Sequence, residues 1–174
     1  NLCLNDLEKL ITTKTKGIVT VNYAGIGCDY NRIRELVNGK NIVIIEDNAQ
    51  GFLSKHNGKF LGTFGDLSTI SFHNTKNISC GEGGALLIPK ENENLIKKAK
   101  IMREKGTNRY QFIRGEVDKY TWQSLGSSFL PSELNAAILL ANLEEANQKT
   151  ENRLIAWNNY IKKANKDSSN LSFP

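Results

Sequence analysis

A lysine, an acid, an amide and a hydroxyl stand at or near the ends of short apolar runs in this sequence. Asp47 closes "NIVIIED" (41–47), Gln50 follows it by three positions, Ser71 lies within "LSTISFH" (67–73), and Lys76 comes just after that run. A lysine amine forms an imine with a carbonyl when part of it is neutral, and partial burial or nearby positive charge favours the neutral form. A carboxylate can hold the proton on a ring nitrogen, an amide can hydrogen-bond a ring substituent, and a serine hydroxyl can donate to a phosphate. Asp47 and Lys76 are 29 positions apart, with one strand and one loop between them, so two neighbouring strand ends can face one ligand. Each residue also has a plainer reading: a surface ion pair, a loop glutamine, a strand serine. Spacing alone leaves the choice open, because acid–lysine pairs at such separations are common.

The elements that must position these groups follow from periodicity. "LNDLEKLITT" (4–13) predicts a short helix, "IVTVNYAG" (18–25) a β-branched strand, and "DYNRIRELVNGK" (29–40) a helix with Ile33, Leu36 and Val37 inward. "NIVIIED" is apolar at every position from 42 to 45, the mark of a strand buried on both faces. Residues 51–66 predict a loop or hairpin, and 67–73 and 83–89 two more strands. "GEGG" (81–84) lacks the GxxxxGK[ST] pattern and precedes a strand, so it reads as a tight turn and not as a phosphate cradle. Residues 91–106 predict a helix, 107–130 a long irregular loop, 131–148 a buried helix, and 151–166 an amphipathic helix with Leu154, Trp157 and Ile161 on one side. Helix and strand alternate from 4 to 90, which predicts an α/β fold with a mostly parallel sheet. Ligands of such sheets bind beyond the carboxyl ends of the strands, where Asp47 and Lys76 stand.

Composition excludes several classes. The 174 residues suit one domain or a large piece of one. The net charge of +5 is spread over helices and loops, without the basic stripe interleaved with aromatics that a nucleic-acid binder needs. No apolar stretch is long enough to span a bilayer, and the opening residues lack a charged n-region followed by an apolar h-region, so no secretory signal is expected. Cys3, Cys28 and Cys80 are odd in number and far apart, which argues against a disulfide framework or a zinc site and for a reducing cytoplasm.

Four motifs in order, "IIEDNAQG", "GTFGD", "STISFHNTKN" and "GEGGALLI", resemble the vitamin B6-dependent sugar aminotransferases of the DegT/DnrJ/EryC1 family. Residues 103–137 look most like the family's dTDP-4-amino-4,6-dideoxygalactose transaminase branch. The resemblance implies a fold type I pyridoxal-phosphate-dependent large domain, a mostly parallel sheet with helices on both faces, here incomplete. It implies that residues 1–150 form the central part of that domain and that 151–174 lead toward a smaller one. Lys76 matches the lysine that holds pyridoxal 5'-phosphate and moves protons, Asp47 the acid on the pyridine nitrogen, Gln50 the glutamine beside the ring hydroxyl, and Ser71 a phosphate-binding serine. His73 lies near the cofactor without an assigned step.

The activity implied is transamination of a 4-keto-6-deoxy nucleotide sugar, dTDP-linked, with glutamate as amino donor, in a cytoplasmic homodimer serving surface polysaccharide synthesis. The loop 107–122, with Arg109, Arg114, Lys119, Tyr120 and Trp122, reads as a sugar-nucleotide contact or as a surface packed on a partner subunit. Two departures stand out. Leu130 occupies a position where many members carry an asparagine reaching a neighbouring subunit's phosphate, with Ser127 and Ser128 as nearby substitutes. The family's amino-terminal phosphate loop and stacking aromatic are also absent. A non-catalytic remnant is therefore the alternative from another class. Within the family, members that act as dehydratases carry histidine at the lysine position, which Lys76 argues against.

Overall fold

The computed structural model describes residues 2–167 of the chain. Helix α1 (Leu4–Leu10) leads into strand β1 (Gly17–Val21), a 3-10 turn (Tyr23–Gly25) and α2 (Tyr30–Val37). Asp29 caps α2 by accepting the Arg32 N–H at 3.0 Å. Strand β2 (Val43–Asp47) follows, then a small hairpin of β3 (Lys55–His56) and β4 (Lys59–Phe60). Asn57 and Gly58 close that hairpin at φ 50° and 79°, the pattern a tight two-residue turn demands. Strands β5 (Leu67–Ser71) and β6 (Gly84–Leu87) complete a sheet of order β1-β2-β5-β6. The first three strands are parallel and β6 is antiparallel to β5. Helices α3 (Glu93–Arg103), α4 (Arg109–Ile113), α5 (Glu133–Glu144) and α6 (Ala146–Asp167) follow.

Register fixes which side chains share a face. Val21 lies opposite Asp47, and Asp47 opposite Thr69. Ile18 and Ile44 meet Ile33 and Val37 of α2, Leu7 of α1 and Leu61 in one core. Ile33 and Ile44 are fully buried, and burial of side chains of this size contributes roughly 1.5–3 kcal/mol each. A second core gathers Phe72, Ile78, Cys80 and Ala146, with Ile70 and Leu139 packed against it.

Three expectations need correction. Strand β2 is not buried along its whole length: Ile44 and Glu46 are buried, while Val43 is 39% exposed. The opposite sheet face also exposes Val19, Val21 and Leu86, and among the described residues no second helical layer covers it. Helix α5, expected to be buried, leaves Leu134 77% and Leu140 61% exposed. An apolar run reads alike whether or not its cover is present. The stretch 107–130 is not loop throughout: it holds α4, and isolated bridges join Thr107 to Trp122 and Glu104 to Ser128. On the final helix, Leu154 and Trp157 are exposed and Ile161 is half-buried, so that stripe finds little cover either.

Candidate active site

The carboxyl ends of β1 and β2 and the loop before β5 are tied together by a buried polar network. Glu46 points inward, with no exposed surface. Its carboxylate accepts N–H bonds from Gly62 (2.7 Å), Gly65 (2.5 Å) and Phe64, and from the Asn22 amide at 3.2 Å. Asn22 also donates to Asn48 Oδ1 at 3.1 Å and accepts from the Tyr30 hydroxyl at 2.6 Å. Asn48 Nδ2 donates to the Leu61 carbonyl at 3.0 Å. The loop after β4 thus folds around a carboxylate. Gly62 takes φ +93°, and a Cβ on Gly65 would stand 2.9 Å from the Ile44 carbonyl oxygen, so neither position accommodates a side chain without strain. Burial, and then the Glu46 carboxylate, hold the Tyr30 phenol above its ordinary range. Glu46 was not singled out by sequence reasoning. Its signal was an acid at the inward alternate of an apolar strand, two positions after Ile44.

A cavity of about 340 Å³ is lined by Gln50, Ser71 and Lys76 together with Ala24, Ala49 and Thr75. That volume falls within the roughly 300–1,000 Å³ of small-molecule sites. Gln50 Oε1 accepts the Ala24 N–H at 2.8 Å, which leaves its NH₂ to donate elsewhere. Ala24 itself holds φ 55°, an uncommon conformation for a residue with a side chain. Ser71 Oγ accepts the His73 N–H at 3.3 Å, which leaves its hydroxyl proton to donate to a ligand. Lys76 is half-buried, in a turn closed by its N–H donating to the His73 carbonyl at 2.9 Å.

Asp47 stands next to this cavity without lining it. Its Oδ1 accepts the N–H of Ala49, a lining residue, at 3.0 Å. Alternate strand residues share a face, so Asp47, Thr69 and Ser71 project from the same side of the sheet. Ser71, Gln50 and Lys76 are therefore brought together, with Asp47 at their flank.

The loop after Lys76 is gripped from behind. Arg153 donates to the Asn77 carbonyl at 2.5 Å, Asn142 to Ser79 at 2.9 Å and Asn135 to Glu82 at 2.9 Å. The loop 107–122 is not brought to the cavity. Arg109 pairs with Glu104 at 3.4 Å, Arg114 with Glu116 at 3.0 Å, Tyr120 packs on Phe112, and Trp122 is 81% exposed. Leu130 and Ser128 border a separate, more apolar hollow of about 580 Å³ beside α5. Among the described residues no cluster of His, Cys, Asp and Glu suits a metal ion, and no helix is long and apolar enough to cross a membrane.

The sequence profile of the DegT/DnrJ/EryC1/StrS aminotransferase family matches residues 1–169. The chain belongs to this family. It is 36% identical over 146 residues to GDP-perosamine synthase of Escherichia coli O157:H7, a match covering 83% of this chain and 37% of that protein. Its fold superimposes on Helicobacter pylori PseC, an aminotransferase involved in the biosynthesis of pseudoaminic acid. The TM-score is 0.75 at 30% identity, over 84% of this chain and 38% of that one. A putative sugar aminotransferase of Streptococcus pneumoniae, Spr1654 in its PLP form, gives a TM-score of 0.70 at 26% identity, over 82% and 39%. The fold is that of the fold type I large domain, present in part. The chain spans about two fifths of the length of these relatives.

Proposed function

We propose that the chain forms the central part of a pyridoxal-phosphate-dependent aminotransferase acting on a nucleotide-linked 4-keto-6-deoxy sugar, with glutamate as amino donor. One observation carries this reading: Lys76, Ser71 and Gln50 line one cavity at the carboxyl ends of a parallel sheet, with Asp47 joined to it through Ala49. The amine, hydroxyl, amide and carboxylate fit the polar groups of that cofactor. When bound, pyridoxal phosphate supplies an electron sink that lets an amine pass between an amino acid and a keto sugar.

The chain's own residues supply the rest. Lys76 Nζ anchors the cofactor and holds or returns the proton at the reacting carbon. Ser71 Oγ, its acceptor side already used by the His73 N–H, donates to the phosphate. Gln50, its carbonyl side fixed on Ala24, donates its NH₂ toward the ring hydroxyl. Asp47 spends one oxygen on the Ala49 N–H and keeps the other for a proton on the ring nitrogen. Dimerisation belongs to this reading, supported by the apolar side chains that α5 exposes. So does a reducing cytoplasm, supported by three unpaired cysteines. The dTDP-linked substrate rests on the resemblance of residues 103–137. The relatives described above carry GDP or pseudoaminic acid in their names, so the nucleotide is the part of the reading to test first.

A non-catalytic remnant is the second reading, favoured by one observation: Asp47 borders the cavity without lining it. Absorbance separates the two. Pyridoxal phosphate added to the chain produces a visible band that Lys76→Ala abolishes, and no band at millimolar cofactor refutes the enzyme reading. Where the band forms, 2-oxoglutarate release from glutamate with dTDP-, GDP- and UDP-linked keto sugars identifies the nucleotide.

A further inference from the structure

His73 occupies the start of the turn that carries Lys76, and every polar group it has is engaged there. Its N–H donates to Ser71 Oγ at 3.3 Å, and its carbonyl accepts the Lys76 N–H at 2.9 Å. Its ring Nδ1 accepts the Thr75 N–H at 3.2 Å and lies 2.9 Å from Thr75 Oγ1. On the far side of the ring, Nε2 lies 3.4 Å from Glu82 Oε1. Glu82 belongs to the turn that Asn135 holds through its carbonyl. A side chain that accepts from the N–H two residues ahead is the arrangement aspartate and asparagine use to build turns, and here an imidazole performs it.

We infer that His73 is a positioning residue for Lys76. Its Nδ1 fixes the Thr75 amide, and so the turn that delivers the lysine amine to the cavity beside Ser71. The inference rests on Lys76 being the reacting amine. It makes three demands. The neutral ring must carry its proton on Nε2, because Nδ1 accepts. An acceptor at the Nδ1 position must suffice, so asparagine replaces histidine and leucine does not. Glu82 must matter less than the ring, because its side chain is 81% exposed and an ion pair so placed contributes little.

The test uses the full chain and two readouts. The sequence has only two histidines, His56 and His73, so nitrogen-15 spectra of the rings assign readily, with His73→Asn as the control. At mildly alkaline pH the His73 ring shows an unprotonated Nδ1 and a protonated Nε2. A proton on Nδ1 overturns the inference. The second readout is the rate at which pyridoxal phosphate with cyanoborohydride marks Lys76, counted by peptide mass spectrometry against the other lysines. His73→Leu lowers this rate by about fivefold, the factor for one lost hydrogen bond. His73→Asn restores it, and Glu82→Gln changes it by less than His73→Leu does. Thermal midpoints of the variants are read alongside, since a purely structural role would track the midpoint and not the rescue. Equal marking in wild type and His73→Leu overturns the inference and leaves Lys76 as the reacting amine. No preferential mark on Lys76 in the wild-type chain overturns the functional reading and this inference with it.

Discussion

Two regions of this chain use their apolar and polar groups in opposite ways. Around β1, β2 and the loop at 61–65, buried polar atoms find partners inside the chain, with the Glu46 carboxylate gathering amides from two directions. From 122 to 143, large apolar side chains point outward, among them Leu125 at 91% exposure and Leu134 at 77%. The first region pairs its buried polar atoms by its own contacts, while Val19, Val21 and Val43 on its outer sheet face stay exposed. The second has the composition of an interior without the contacts of one, and patches of that kind mark interfaces. Buried polar pairing is therefore concentrated around Glu46, while the α5 side supplies surface.

That contrast can be broken in graded steps. Glu46→Leu leaves the Gly62, Phe64, Gly65 and Asn22 donors buried without an acceptor, and costs about 4 kcal/mol by urea unfolding. Glu46→Gln keeps one acceptor oxygen and costs about 2 kcal/mol. A loss no larger than a surface substitution would remove Glu46 from its central place. Tyr30→Phe, which deletes the hydroxyl bonded to Asn22 and near Thr20, costs about 1 kcal/mol at neutral pH. The same phenol gives an alkaline limb. Its folded pKa is raised, so the folded chain keeps a proton that the unfolded chain releases above about pH 10. Its stability contribution is full below that pH and declines as pH rises further, and Tyr30→Phe flattens this part of the curve. Asn142→Ala removes the bonds to Ser79 and Lys149 and costs about 1 kcal/mol. Leu134→Gln with Leu140→Gln changes stability by less than about 0.5 kcal/mol per site, yet lowers self-association in light scattering. A large stability loss there would show that α5 is an interior element after all.

Much of this was legible in the residues. The loop or hairpin at 51–66, the helix at 29–40 and the alternation of helix and strand are local, and local chemistry writes them into the sequence. Lys76, Ser71 and Gln50 were placed by the motifs, and the structure brings them to one cavity. What could not be read was cover. "VIIED" and "AAILLANL" look the same whether a second layer lies over them or not, so β2 and α5 were both expected to be more buried than they are. Helix α4 is too short to show a period, and its five residues vanish into an aromatic-rich loop. The role of His73 depends on a ring rotamer that brings Nδ1 to the amide two residues ahead, and spacing carries no trace of that.

The claim beneath the functional reading is that one amine, Lys76 Nζ, takes the cofactor. Borohydride reduction of the chain after equilibration with pyridoxal phosphate, followed by peptide mapping, tests it directly. The expected result is a single pyridoxyl group, on the peptide containing Lys76, at a cofactor concentration too low to mark the remaining lysines. A mark spread over the surface lysines, or fixed on any other one, contradicts it.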